Sequence, residues 1–240
     1  MRKSLFLLAI PLLLSVAPPH EIQLFNGRNF DGWTFFLEQK GYNAAGKGKI
    51  ADFAIVKPGG VIEINPQYHG ALMTRRDYLN YKLHAEFRWV DPKFARNNSG
   101  LFLRIRQPFV WDMEHGEQAR MYMVQIQPPN TGDLWVLGYS DSALKTDPAR
   151  SFKPFGNLEL GSGPFAFSQM HRHLISKNAE RPAGEWNSVD VTINGKNIQV
   201  WVNGELVNEG TNVVDLPGRI GLESEFGPIQ FRNLRLTPIE

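Results

Sequence analysis

Polar side chains in predicted strands carry the groups that could do chemistry in this sequence. Residues two apart in a strand share a face. Each polar candidate therefore shares a face with a neighbour two residues away: Arg104 with Phe102, Gln125 with Met123, Asp133 with Trp135, and Glu223 with Glu225. A tryptophan ring can stack on the apolar face of a sugar, while carboxylates, amides and guanidinium groups bind its hydroxyls. The same alternation is typical of a solvated sheet face, so the pattern leaves both alternatives open.

Two histidines, His171 and His173, would face the same side of a strand and could share a divalent metal. Two imidazoles are an incomplete ligand set, and no strand pattern surrounds them, so a surface loop is the alternative. A divalent metal therefore stays open. The sequence contains no phosphate-binding loop, dinucleotide fingerprint, zinc-protease motif or serine-hydrolase motif, so no other cofactor is predicted.

Apolar residues that recur with a period of two predict the strands that position these groups. The clearest strands are Tyr81–Val90, Gly100–Arg106 and Met121–Gln127. In the last of these, Tyr122, Val124 and Ile126 point to one side. We therefore expect Met123 and Gln125 to lie on the opposite, ligand-facing side and not in the core.

Turn and bulge signals complete the predicted fold. The dipeptides Asn194-Gly195 and Asn203-Gly204 favour tight turns and predict a three-strand meander. A bulge is predicted near Arg232-Asn233, because the apolar residues change from odd to even positions there. Segments 38–60 and 138–184 lack periodicity and are predicted to be long loops. These features favour an all-β fold, a two-sheet antiparallel jelly-roll sandwich.

Composition excludes several classes of protein. The chain has 240 residues, of which 42% are hydrophobic, so it can bury a core and is not disordered. Its 26 basic and 24 acidic residues give a net charge of +2, which argues against a protein that binds nucleic acid through charge. The absence of cysteine excludes disulfides, thiolate metal sites and cysteine nucleophiles.

The N-terminus has the features of a secretory signal. Arg2 and Lys3 precede an apolar run from Leu5 to Val16, which is shorter than the ~20 residues of a transmembrane helix. We expect residues 1–17 to be a signal peptide and residues 22–240 to be a single domain. The mature protein is then secreted or periplasmic without stable membrane insertion, and an uncleaved anchor is the alternative.

Several short segments lie in the same order as in a known family. They are Leu24–Gly27, Asp31–Trp33, Asn98–Arg104, Gly184–Asn187, Trp201–Gly204, Gly218–Glu225 and Phe231–Leu234. Together they resemble the 3-keto-disaccharide hydrolase domain family, formerly DUF1080, and Gly132–Trp135 resembles a branch of it. The resemblance implies a concanavalin A-like jelly roll, bacterial export and a carbohydrate substrate.

The resemblance also implies an enzyme that cleaves 3-keto glycosides, by elimination of the leaving group and then hydration. The base is expected to be a carboxylate, with Asp133, Glu223 and Glu225 as candidates, or His171. Arg104 or a metal is expected to stabilise the enolate. The residues expected to contact the sugar are Trp135, Gln125, Asn98 and Met123.

One residue departs from the family pattern. Relatives usually have Glu-x-Gln where this chain has Met123-Val124-Gln125, and a thioether cannot take a proton. Either another carboxylate acts or the site binds sugar without turnover, as a noncatalytic lectin-like module would. Relatives often have Gln at the position of Glu223, which suggests a swap of the acidic position. A direct glycosidase with two carboxylates ~5–10 Å apart is a third alternative.

Overall fold

The computed structural model describes residues 20–37, 48–66, 69–91, 93, 96–112, 117–138, 144–146, 151–152, 169–171 and 179–240. The predicted signal peptide and His173 lie outside these described residues. No helix in the described part of the chain is long and apolar enough to cross a membrane.

Two antiparallel sheets pack face to face, which confirms the predicted all-β sandwich. The first sheet contains, in spatial order, β14 (Glu205–Thr211), β13 (Asn197–Val202), β12 (Asn187–Asn194), β6 (Tyr81–Trp89), β16 (Ile229–Pro238), β4 (Val61–Ile64) and β3 (Ala54–Lys57), with β1 (Ile22–Gln23) beside β16. The second contains β10 (Ser151–Phe152), β11 (Gln169–His171), β9 (Leu134–Leu137), β8 (Glu117–Ile126), β7 (Ser99–Asp112), β15 (Arg219–Ser224), β5 (Gly70–Thr74) and β2 (Trp33–Leu37). A short 3-10 helix spans Ile50–Asp52.

Alternation along the strands builds the core between the sheets. Every odd-numbered residue of β6 from Tyr81 to Trp89 is buried, and Tyr122, Val124 and Ile126 of β8 meet them from the other sheet. The outer face of the second sheet carries a separate apolar cluster that includes Met123. The predicted face of Met123 is therefore confirmed, but the residue is buried, at 5% exposure, rather than open to solvent.

The turns and the bulge follow the local sequence. Asn203 and Gly204 have φ angles of 51° and 82° and connect β13 to β14 as predicted. The preceding turn lies one residue later than predicted, because β12 continues through Asn194 and the loop is Gly195-Lys196. The register of β16 shifts between Arg232 and Arg235, which confirms the predicted bulge.

Three strands occur within segments that the sequence predicted to be loops. They are β3, β10 and β11, which contain only two to four residues each. A strand of that length spans at most two repeats of the alternation, so periodicity cannot reveal it.

Candidate active site

Two glutamates form an acid pair beside the outer face of the second sheet. Glu223 lies in β15 and is 4% exposed, and Glu225 follows directly after the strand. Burial raises the pKa of Glu225 to about 7. Burial, together with the nearby charge of Glu225, raises the pKa of Glu223 well above its usual range. Neighbouring buried carboxylates resist double ionisation, so near neutral pH this pair supplies one acid and one base.

Gly100 of β7 leaves the space that Glu223 occupies. A Cβ atom at residue 100 would lie 2.8 Å from Met123 Cγ and 3.0 Å from Glu223 Oε2. The thioether and the carboxylate therefore meet above this glycine, where any larger residue would collide. Glu223 Oε2 is buried and has no hydrogen-bond partner among the residues that the structure describes. Because buried polar atoms are normally paired, this oxygen is available to a bound ligand.

Two amides border the acid pair. Gln125 of β8 pairs with Gly100 across the strands and donates a hydrogen bond from Nε2 to Asn98 Oδ1. Gln125 is 3% exposed, whereas Asn98 is partly exposed. The structure thus brings Asn98, Met123, Gln125 and Glu223 together. Of these four, the sequence predicted a shared face only for Met123 and Gln125.

Asp133 and Trp135 extend this site across β9. The backbone N–H of Gln125 donates to the carbonyl oxygen of Asp133 at 2.9 Å, and Asp133 is fully buried. Trp135 pairs with Met123, and its indole Nε1 is buried with no hydrogen-bond partner in the described part of the chain. Trp135 therefore presents an unused donor to this face of the sheet.

The described residues do not assemble a metal site. His171 lies in β11, where its backbone pairs with Leu134 of β9, and its predicted partner His173 lies outside the described residues. Within the described ranges, no three His, Cys, Asp or Glu side chains converge as a metal-binding group. No step proposed below is routed through a metal.

Arg104 does not lie at this site, which corrects the assignment made from alternation. A bulge shifts the register of β7 between Leu103 and Arg106 and places Arg104 at a φ of 49°. The Arg104 side chain is fully buried. Its guanidinium donates hydrogen bonds to the carbonyl oxygens of Leu79 at 2.8 Å, Gly195 at 3.1 Å and Val214 at 2.5 Å. Arg104 is a structural anchor, so the predicted role in stabilising an enolate is wrong.

Arg104→Ala should destabilise the protein by ~3–5 kcal/mol, because it leaves buried carbonyl oxygens without donors. Urea denaturation measures this loss. Arg106→Ala, at a half-exposed position of the same strand, is the control and should change stability little. If Arg104→Ala is as stable as Arg106→Ala, the anchoring role is wrong.

Two residues of the site were not identified from the sequence. His69 Nε2 lies 3.6 Å from Glu225 Oε1, and Phe226 packs its ring against the His69 ring at 5.2 Å between centroids. Phe226 is 37% exposed and could contact a sugar beside the acid pair. His69 approaches Glu225 because Gly70 of β5 pairs with Ser224 of β15. That pairing joins strands about 150 residues apart in the chain, so no local sequence pattern predicts it.

A polar cavity of about 700 Å³ lies elsewhere, against the first sheet. Its lining residues are Lys145, Thr146, Thr192, Asn194, Asn197, Ile198, Gln199, Glu209, Gly210 and Thr211. None of these is a predicted site residue. Glu209 is the single carboxylate among the described lining residues, so these residues do not supply both an acid and a base as the acid pair does.

Comparison with known proteins gives a family and a fold. The model of the 3-keto-alpha-glucoside-1,2-lyase-like domain family matches residues 20–237. A provisionally named glycosyl hydrolase from Parabacteroides distasonis is similar in structure, with a TM-score of 0.56 at 15% identity over 92% of this chain and 94% of that one. The β-glucanase of Bacillus licheniformis has a TM-score of 0.53 at 12% identity, over 94% and 100% of the two chains.

A carbohydrate-binding module, CBM66 from Bacillus subtilis, is also similar, with a TM-score of 0.52 at 10% identity over 85% of this chain and 94% of that one. The curated proteins gave no significant match. At these identities the likenesses show the fold alone, a jelly-roll sandwich on which both hydrolases and binding modules are built.

Proposed function

The chain belongs to the 3-keto-alpha-glucoside-1,2-lyase-like domain family, and we propose that it cleaves 3-keto glycosides with Glu223 and Glu225. The observation that carries the proposal is the acid pair. Burial raises the pKa of both carboxyl groups, that of Glu225 to about 7. Perturbed, coupled carboxylates on a sheet face are typical of acid–base catalysis.

The substrate chemistry explains why such a pair is useful. A ketone at C3 acidifies the C2 proton, and the glycosidic oxygen on C1 lies β to that ketone. When a base removes the C2 proton, the C–H electron pair forms the C1=C2 double bond and the C1–O bond breaks. Water then adds to C1 and a proton returns to C2, which completes a net hydrolysis.

The burial of the two glutamates assigns their roles. The pKa of Glu225 at about 7 makes this residue a base at neutral pH. Glu223 is more deeply buried and keeps its proton, because burial and the Glu225 charge both raise its pKa. A protonated carboxyl can donate a hydrogen bond to the C3 oxygen as it gains negative charge, the role that was assigned to Arg104 from the sequence.

The position of Glu223 also accounts for Met123. The resemblance implies a glutamate at residue 123, and residues 123 and 223 both reach the space above Gly100. A carboxylate at residue 223 can therefore occupy the space that one at residue 123 would use. This supports turnover despite the methionine, and the indole of Trp135 and the amide of Asn98 remain available to bind sugar hydroxyls.

We expect the protein to release the chromophore from p-nitrophenyl 3-keto-α-glucoside and to leave the matched, unoxidised glucoside intact. Without the ketone, the C2 proton is not acidic enough for a side-chain base. The assay is release of p-nitrophenol against a buffer control.

Two other outcomes would contradict the proposal. Binding of the 3-keto glycoside without release would favour the lectin-like module. Equal cleavage of both glucosides would favour a glycosidase that uses two carboxylates directly.

A further inference from the structure

Exposure to solvent increases from the acid pair outward to His69. Glu223 is 4% exposed as a residue, whereas the side chain of Glu225 is 18% exposed and that of His69 is 29% exposed. A proton taken up at Glu225 therefore has a more exposed imidazole beside it.

The contacts of His69 hold its ring toward Glu225. Nε2 lies 3.6 Å from Glu225 Oε1, and the Phe226 ring packs edge-on against the imidazole at 5.2 Å. Arg96 is a cation on the Phe226 side of this contact, with its guanidinium carbon 5.4 Å from the centre of the Phe226 ring. Catalytic hydrogen bonds are often long before the substrate binds, so 3.6 Å is compatible with proton transfer after a small closure.

The titration of the two groups permits that transfer near neutral pH. Burial lowers the pKa of His69, so the imidazole is neutral and can accept a proton. Burial raises the pKa of Glu225 to about 7, into the range of an ordinary imidazole. Among the described residues, the carboxyl group of Glu223 also lies close to Glu225, and burial together with the Glu225 charge raises its pKa.

We infer that His69 passes the proton removed from C2 from Glu225 to solvent. The inference rests on the proposed function. The C2–H bond breaks, Glu225 takes the proton, and the electron pair enters the C1=C2 double bond as the leaving oxygen departs. Glu225 then gives that proton to His69 Nε2, and His69 releases it to water. The departing oxygen takes up one proton from solvent. During hydration, water forms the new C1–O bond and releases one proton to solvent, while one proton returns from solvent to C2 through the same residues, so the protons balance overall.

The relay makes a measurable difference to the hydrogen at C2 of the product. If Glu225 exchanged no protons with solvent, it would return the same hydrogen to C2. With the relay in place, the hydrogen is replaced by one from water before hydration. His69 acts through Glu225 and does not touch the reacting atoms, so it is a positioning and relay residue.

The test uses p-nitrophenyl 3-keto-α-glucoside with deuterium at C2, in ordinary water. Mass spectrometry at early times measures the deuterium left in the released 3-keto sugar, after correction for exchange of the free sugar in buffer. Wild-type protein should give product that has lost most of its deuterium. His69→Gln retains a polar side chain but cannot relay a proton, so its product should retain several-fold more deuterium.

Two further variants complete the design. Phe226→Ala removes the ring that supports the imidazole at an exposed position, and its product should show intermediate retention. His84→Gln is the matched control, because His84 lies on the first sheet and its Nδ1 is 2.6 Å from Asp190 Oδ1; its retention should equal that of wild type.

If His69→Gln still releases p-nitrophenol and its product loses as much deuterium as the wild-type product, the relay is wrong and the proposed function stands. Absence of release by the wild-type protein would instead overturn the proposed function, and the relay with it. Thermal melting verifies that each variant is folded.

Discussion

Glu225→Gln should slow release of p-nitrophenol from the 3-keto glucoside by ~10²–10⁴-fold, because the amide cannot accept the C2 proton. The pH dependence of the rate tests the same role of Glu225 in a second way. A base must be unprotonated to act, so the wild-type rate constant kcat/KM should rise as pH increases through about 7, the pKa to which burial raises Glu225. In the variant this rise should disappear from the residual activity.

Glu180 provides a matched control for this substitution. It is a partly buried glutamate, and burial raises its pKa to about 7. Its carboxylate accepts hydrogen bonds from Thr131 Oγ1 and, at 2.9 Å, from Trp89 Nε1, outside the acid pair. Glu180→Gln should therefore retain nearly wild-type release. A full rate in Glu225→Gln, or an equal loss in both variants, would contradict the role of Glu225 as the base.

Glu223→Gln should make the protein more stable above neutral pH. Replacing a buried ionisable group with a neutral group of similar volume can stabilise a protein by ~1–4 kcal/mol. At ~2–4 °C per kcal/mol for a chain of this size, the melting temperature at pH 8 should rise by roughly 2–16 °C. Differential scanning calorimetry at several pH values measures the change.

The direction in which stability changes with pH follows from the direction of the Glu223 pKa shift. Folding raises the pKa of Glu223 above its usual 4.5, so the unfolded chain loses this proton first as pH rises. Stability is therefore full below about pH 4.5 and decreases as pH rises toward the pKa of the folded state. Glutamine removes this loss, so the two proteins should melt alike near pH 4 and diverge at higher pH.

Glu205→Gln, at an exposed position, is the control and should leave the pH dependence of melting unchanged. If Glu223→Gln melts below wild type by the same amount at pH 4 and pH 8, ionisation of the Glu223 carboxyl does not destabilise the folded protein, and the prediction is wrong. Glu223→Gln should also release p-nitrophenol more slowly, and the melting test does not depend on that rate.

The fold could be predicted from the sequence because strand periodicity is local. The alternation in β6 assigned the buried face of Tyr81–Trp89, and the shift of apolar positions located the bulge after Arg232. Strands of two to four residues, such as β3 and β11, were missed because so short a segment contains too little alternation.

The site could be predicted only in part, since it depends on register between distant strands. Alternation correctly grouped Met123 with Gln125, but it failed at Arg104, where a bulge in β7 reverses the face. His69 reaches Glu225 through the pairing of β5 with β15, which no local pattern reveals. The raised pKa values also depend on burial by the folded chain, so the sequence could list the carboxylates without choosing between them.

A crystal structure of Glu225→Gln with intact 3-keto glucoside tests the central claim most directly, because the variant should bind the sugar without cleaving it. We expect C2 to face the side chain of residue 225 and the C3 oxygen to lie within hydrogen-bond distance of the Glu223 carboxyl. A sugar bound with C2 turned away from residue 225, or held only in the polar cavity beside Lys145, would contradict the assignment of the acid pair as the catalytic site.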